Sequence, residues 1–201
     1  MMKILTLLIC CICFEATASD IQDTRQPKHM TISMISEFAD YVGKVRKENS
    51  SIPGANFWVL IDLCEFTAHM GQTTPMNGRK TIEALNEIKD MKIVMLYLTA
   101  RTYDEKVCEN ESAEINSKIC DVSDRTITGV EMESLVNGVL YCGFKKKPVM
   151  LMELIGKLEE EKKPKCIVFG DDAKIHIEDF QKHTLGKISY LAHMPVVPKT
   201  Y

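Results

Sequence analysis

The sequence has no large excess of charge of either sign. Its 201 residues include 25 Lys and Arg against 28 Asp and Glu, which gives a formal net charge of −3. A chain with this balance offers no broad basic surface to a polyanion. Its basic run Lys145–Lys147 is too short for a nucleic-acid footprint. We therefore expect no nucleic-acid partner.

Long apolar runs are also scarce. Beyond the N-terminus, no segment approaches the roughly 20 apolar residues that a membrane-spanning helix needs. The chain contains no internal repeat and no low-complexity segment. Hydrophobic residues make up 45% of the chain and charged residues 26%, as in ordinary globular proteins. This length and composition suit one domain with a substantial core.

The apolar run at the N-terminus is typical of a secretory signal peptide. Lys3 precedes the apolar stretch 4–14, and Ala16-Thr17-Ala18 has the small-residue pattern of a cleavage site. We predict that residues 1–18 are removed and that the mature protein is exported to a periplasm or secreted. A lipid-anchored precursor is the alternative, because cysteines lie within the same run.

After such cleavage, five of the eight cysteines remain. Cys142 and Cys166 lie in or beside apolar runs and are predicted to be buried thiols. Cys108 and Cys120 lie in a polar stretch and could form a disulfide in an oxidising compartment. Because five is odd, at least one thiol stays free or bonds another chain.

Strand-like and helical patterns alternate along the chain, which favours an α/β domain with a mainly parallel sheet. The strand-like runs are apolar at consecutive positions, as expected for strands covered on both faces. We predict a Rossmann-like three-layer α/β/α sandwich of about five strands at residues 55–201. A polar tail (19–30) and a helix (31–47) precede it within residues 19–54. The predicted strands are 57–62, 93–98, 138–144, 166–169 and 188–193, and the further predicted helices are 81–89, 103–118, 147–160 and 175–183.

Polar side chains follow four of the predicted strands. Asp62 ends the first strand, Thr99 follows the second, Lys147 follows the third, and the pair Asp171-Asp172 follows the fourth. Ligands of parallel sheets bind beyond the carboxyl ends of the strands. These residues are therefore expected to meet in a site suited to metal-assisted phosphoryl transfer.

The order of these residues resembles the haloacid dehalogenase-like (HAD-like) hydrolase superfamily. The first motif of that family, D-x-D-x-T/V, is matched by Asp62-Leu63-Cys64-Glu65-Phe66, which Thr67 follows. Its Thr or Ser at a strand end is matched by Thr99, and its acid pair by Asp171-Asp172. Its Lys at the start of a helix is matched by Lys147, with Lys146 as the alternative. The short stretches between the motifs leave room only for a small or absent cap domain.

The resemblance implies a Mg²⁺-dependent phosphohydrolase that acts on a phosphorylated substrate. Asp62 would be the nucleophile that forms an aspartyl-phosphate, and it would also ligate Mg²⁺. The backbone carbonyl of Cys64 and the carboxylate of Asp171, with or without Asp172, would complete the metal site. Thr99 would hydrogen-bond the phosphoryl oxygens, and Lys147 would neutralise charge beside Asp62.

The chain departs from the family pattern at Cys64, where a second Asp is usual. In phosphatases of the family that Asp protonates the leaving group and then activates water, help that is worth roughly 10²–10⁴-fold in rate. Without a local twist, the neighbouring Glu65 is an unlikely substitute, because consecutive residues of an extended segment point to opposite sides. We therefore expect a slow or altered enzyme. The alternatives are a non-catalytic pseudo-phosphatase that binds a phosphorylated ligand or a protein partner, and a different hydrolytic reaction at Asp62.

Each candidate residue also has an ordinary structural interpretation. Asp62 could be a strand-end acid, Thr99 a turn residue, and two of the three lysines at 145–147 part of a solvated face. Arg101 could contact phosphate or stabilise a loop, and the second role is favoured. The histidines show no metal-ligand spacing and are expected to be surface or core residues: His69, His176, His183 and His193.

Overall fold

The computed structural model describes residues 28–69, 71–125, 127, 129–183 and 188–195. The predicted signal peptide, residues 1–18, lies outside this range, and so do residues 19–27 of the predicted tail. The described residues form seven strands and five α-helices: β1 (Lys28–Thr31), α1 (Ile35–Glu48), β2 (Phe57–Asp62), α2 (Arg79–Asp90), β3 (Val94–Thr99), α3 (Glu105–Lys118), β4 (Leu135–Val136), β5 (Val139–Tyr141), α4 (Lys147–Gly156), β6 (Cys166–Asp171), α5 (Lys174–His183) and β7 (Ile188–His193).

The strands form one sheet in the order β1-β7-β6-β2-β3-β5-β4. All neighbouring pairs are parallel except β4 with β5. From β2, the chain adds β3 and β5 on one side and later returns to add β6 and β7 on the other. This reversal of strand order lies between β2 and β6, and it opens a crevice beyond their carboxyl ends.

Alternate residues of β2 pack into two separate cores, because successive side chains of a strand point to opposite faces. Val59 and Ile61 contact the core that α1, α2 and α3 cover. Trp58 and Leu60 contact the core that α4 and α5 cover. Every residue of β2 is buried. The structure therefore confirms the predicted three-layer α/β/α sandwich with a mainly parallel sheet.

Two strands were missed by the sequence prediction. Lys28–Thr31 pairs with β7 as the edge strand β1, so the predicted tail is wrong at its last residues, and the first helix begins at Ile35 instead of residue 31. Leu135–Val136 pairs with β5 as the short antiparallel edge strand β4. Neither segment carries a distinctive apolar pattern, because all of β1 is exposed and β4 is half-buried. The sheet consequently has seven strands.

The cysteines after residue 18 are all free thiols. Cys108 lies in α3, where its thiol contacts backbone atoms of Thr102 and Asp104. The Cys120 thiol instead lies 3.4 Å from Asn86 Oδ1. Cys108 and Cys120 therefore form no disulfide in this structure. Cys142 and Cys166 are buried, as predicted. In the described part of the chain, no helix combines the length and the apolar character needed to cross a bilayer.

Candidate functional site

Three neighbouring strands end at one point of the sheet. The central strand β2 ends at Asp62, with β3 on one side and β6 on the other. The strand β3 ends at Thr99, one residue beyond the partner of Asp62, and β6 ends at Asp171. The parallel register thus brings together the carboxyl ends that the sequence marked with polar residues.

Lys147 joins two of these strand ends through its side chain. Its ammonium group donates to Asp62 Oδ1 and, over 2.6 Å, to Asp171 Oδ2. All three side chains are buried, with exposed fractions of 3% for Lys147, 4% for Asp62 and 0% for Asp171. Buried charges of this kind are retained only when they are paired and hydrogen-bonded. The residue that the motif order selected therefore faces the candidate nucleophile.

The other two lysines of the run point elsewhere. Lys145 pairs with Glu153 on the surface of α4, and Lys146 reaches Asp179 on α5 with an Nζ–Oδ1 distance of 2.9 Å. The side chains of both lysines are more than half exposed. Two of the three lysines thus belong to a solvated face, as predicted. Lys147, and not Lys146, is the lysine that contacts the strand-end acids.

His176 is a member of the cluster that sequence reasoning missed. Its Nδ1 lies 3.0 Å from each carboxylate oxygen of Asp171 and 3.2 Å from Lys147 Nζ. Since a carboxylate only accepts, the favourable tautomer is the one in which Nδ1–H donates to Asp171. Its position in the first turn of the helix that follows the acid pair was the signal available in the sequence.

The three carboxyl groups of the cluster differ in acidity. Burial raises the pKa of Asp62 well above its usual range, and the charge of Asp171 adds to this effect while Lys147 opposes it. Burial also acts on Asp171, but the hydrogen bond from His176 and the charge of Lys147 outweigh it and lower its pKa. The pKa of Lys147 is raised despite burial, because Asp62 and Asp171 favour its charged form. Lys147 and Asp171 are therefore the firmly charged pair.

Asp172 brings a third carboxylate to the same point. Burial and the charge of Asp171 raise its pKa, and the neighbouring Asp62 and Lys147 oppose this effect. Three carboxyl groups thus lie close together beside a single ammonium group, which leaves an excess of negative charge when all three are ionised.

This excess of negative charge shows whether the residues suit a metal ion, because a bound cation would neutralise it. Ligand oxygens of Asp62, Asp171 and Asp172 all lie within 4.8 Å of one another. Hard divalent cations such as Mg²⁺ prefer such all-oxygen sets. A divalent ion would supply the charge that Lys147 alone does not. The residues therefore fit a hard divalent cation.

A tight turn directly after Asp62 shapes the mouth of the site. Thr67 Oγ1 donates to the carbonyls of Asp62 and Leu63, and Ala68 N donates to Leu63 O at 2.9 Å. Glu65 sits at the apex with a φ of 59°, a left-handed conformation that non-glycine residues rarely adopt. Because of this turn, side chains no longer alternate between the two faces of the sheet after Cys64.

Phe66 anchors this turn in the core beneath the acid pair. It packs edge-on against Phe38, with 5.3 Å between the ring centroids. Both rings press on Gly170, where a Cβ atom would lie 2.5 Å from Phe66 Cζ. A side chain at Gly170 would therefore displace the turn or the strand end that carries Asp171. This contact explains the glycine directly before the acid pair.

Cys64 and Thr99 lie on the β3 side of Asp62. The Cys64 sulfur is 3.9 Å from Thr99 Oγ1 and 3.6 Å from Nη2 of Arg101. Thr99 is fully buried, and its hydroxyl accepts from Arg101 N at 3.3 Å. Neither side chain belongs to the carboxylate cluster that could hold a metal ion. The predicted metal-ligand role of the Cys64 carbonyl and the predicted phosphate contact of Thr99 remain predictions.

Comparison with known proteins gives no relative from which a function could be inferred. The chain matches no family model, no curated protein and no solved structure. The functional conclusion therefore rests on the geometry of the site.

Proposed function

We propose that this chain is a Mg²⁺-dependent phosphohydrolase of the HAD-like type, in which Asp62 is phosphorylated and then released by water. The observation that carries the proposal is the position of Lys147 Nζ, which contacts Asp62 on β2 and Asp171 on β6. This contact supports the proposal, because an ammonium group and a carboxylate meet in the crevice where the strand order reverses. The all-oxygen set with Asp172 beside them supports the metal requirement.

Each residue has a chemical task in this proposal. An Asp62 oxygen attacks the phosphorus atom, forming an acyl-phosphate as the bond to the leaving group breaks. Lys147 holds the carboxylate in place and offsets the charge that two anions bring together. Asp171 and His176 fix the position of the lysine. When bound, Mg²⁺ would neutralise charge on the phosphoryl oxygens and orient them.

We expect hydrolysis of 4-nitrophenyl phosphate by the purified protein to require Mg²⁺ and to stop when EDTA is added. The cluster leaves excess negative charge without a divalent ion, so Mg²⁺ should also stabilise the fold. At about 100 times its dissociation constant, a ligand specific to the folded state adds about 2.7 kcal/mol to the free energy of unfolding. Thermal melts with Mg²⁺ and with EDTA measure this directly. Equal turnover and equal melting in both buffers would contradict the proposal.

A second candidate function is the pseudo-phosphatase, which binds a phosphorylated ligand without turnover. The surroundings of Cys64 favour it, because its sulfur contacts a hydroxyl and a guanidinium, whereas a phosphatase would profit from a proton-donating carboxyl group. A thiol is only a weak hydrogen-bond donor. The scaffold would then be intact, and only the proton-transfer step would be lost.

The variant Cys64→Asp is expected to raise turnover of phenyl phosphate by about 10²-fold, because it introduces a carboxyl group that can act as general acid and base. Cys64→Ser is the matched control, since it changes size little and adds no acid. Rates for both variants and the wild type decide between the two functions. A silent wild type with an active Cys64→Asp variant identifies a pseudo-phosphatase. If no form turns over and no form binds Mg²⁺, both functions are wrong.

A further inference from the structure

Arg101 connects the candidate site to a neighbouring groove. Its Nη2 lies 3.6 Å from Cys64 Sγ and 3.3 Å from Gln72 O, while its Nη1 pairs with Glu111 on α3. The Arg101 side chain is only 20% exposed. Its guanidinium therefore lies between Cys64, which is two residues after Asp62, and helix α3.

The groove lies between the loop after β2 and residues 106–114 of α3. It has a volume of about 670 Å³, and both Gln72 and Glu111 line it. Most of its other side chains are hydroxyls, amides or charged groups, including Thr73, Thr74 and Asn110. The helix that forms one wall is capped by Asp104, whose carboxylate accepts from Val107 N at 3.1 Å. The groove therefore has a mostly polar lining. It adjoins Arg101 through Gln72 and Glu111, which Arg101 contacts.

The two flanks of Asp62 have opposite electrostatic character. The β6 flank carries Asp171 and Asp172 and suits a cation. The β3 flank presents the thiol of Cys64 and the guanidinium of Arg101, and Arg101 binds the carboxylate of Glu111 there. A guanidinium in proteins does not release its proton, but it stabilises an adjacent anion. This flank can hold a departing anion and cannot readily protonate it.

We propose that Arg101 binds the leaving-group oxygen, so that the site selects phosphoryl donors whose leaving group departs as a stable anion and whose remainder is polar enough for the groove. Aryl phosphates, acyl phosphates and phosphoric anhydrides belong to this class, whereas alkyl esters such as sugar phosphates do not. The inference rests on the proposed phosphohydrolase function and specifies its substrate.

The two steps balance without a proton donor at the leaving group. In the first step a bond forms between an Asp62 oxygen and phosphorus, the bond from phosphorus to the leaving oxygen breaks, and that oxygen departs as an anion beside Arg101. In the second step a water oxygen bonds to phosphorus and the bond to Asp62 breaks. The carboxylate is regenerated, and both protons of the water leave with the phosphate as dihydrogen phosphate.

The test compares two esters that differ in the acidity of the phenol released. Arg101→Ala should lower turnover of 4-nitrophenyl phosphate by about tenfold and that of phenyl phosphate by about 10²-fold, because a preorganised donor matters more as the leaving oxygen becomes more basic. Arg79→Ala on α2, which removes an exposed arginine paired with Glu83, is the matched control and should change neither rate. Thermal melts establish that every variant is folded.

The difference between the two losses separates a contact with the leaving group from a structural role. Equal losses on both esters would mean that Arg101 only ties the loop to α3, which overturns the inference and leaves the proposed function standing. A loss that is larger for the nitrophenyl ester also overturns it. Absence of Mg²⁺-dependent turnover with either ester in the wild type rejects the proposed function and the inference with it.

Discussion

Replacing Lys147 with Met is expected to lower the free energy of unfolding by about 3–5 kcal/mol and to abolish turnover. The ammonium group is buried and donates to Asp62 and Asp171, so its removal leaves three carboxyl groups facing one another. Because methionine fills a similar volume, the loss in free energy of unfolding measures the effect of removing the charge and not a change in packing. Urea denaturation in EDTA measures the change.

Mg²⁺ should restore a larger share of stability in this variant than in the wild type, because the ion supplies the positive charge that Lys147 provided. Lys146→Met is the matched control, since this neighbouring lysine is 59% exposed and pairs with Asp179. Surface pairs contribute about 0–1 kcal/mol, so the control should stay close to wild type. If the two variants lose equal stability, the buried contact of Lys147 does not have the energetic importance assigned to it.

The central part of the fold could be predicted because burial leaves a clear pattern in the sequence. The strands β2, β3 and β6 are apolar at nearly every position, since helices cover both faces. The edge strands β1 and β4 carried no such signal. Lys28–Thr31 is exposed throughout and is a strand only because β7 offers a free edge. Pairing of this kind depends on residues far away in the chain.

The candidate site was predictable where its residues end strands and unpredictable where helices and loops contribute. Asp62, Thr99 and Asp171 follow buried runs, so the parallel sheet places them at one edge. His176 and Arg101 depend on the orientation of a helix and a loop, which no local pattern encodes. The bridge from Lys147 to both acids was likewise a tertiary contact, which the motif order suggested and the burial of the ammonium group explains.

Asp62→Asn is expected to reduce turnover by about 10⁴-fold or more, since an amide cannot serve as the nucleophile. Its effect on stability should have the opposite sign to that of Lys147→Met. Burial and Asp171 raise the pKa of Asp62, so its ionised form is disfavoured in the folded protein. The amide oxygen can still accept from Lys147, and the amide nitrogen faces the carboxylate of Asp172, whose ligand oxygen lies within 4.8 Å of that of Asp62 and can accept from it. We expect the free energy of unfolding to rise by about 1 kcal/mol in EDTA.

Asp179→Asn provides the matched control, because this carboxylate on α5 pairs with exposed Lys146 and should leave turnover unchanged. Mg²⁺ should stabilise Asp62→Asn less than the wild type, since one of the three candidate ligands has lost its charge. A variant that is both inactive and about 2 kcal/mol less stable in EDTA would show that the charge of Asp62 supports the fold. The inactive but more stable variant would instead show that the cluster carries more negative charge than the fold requires, as expected for a site that binds a cation.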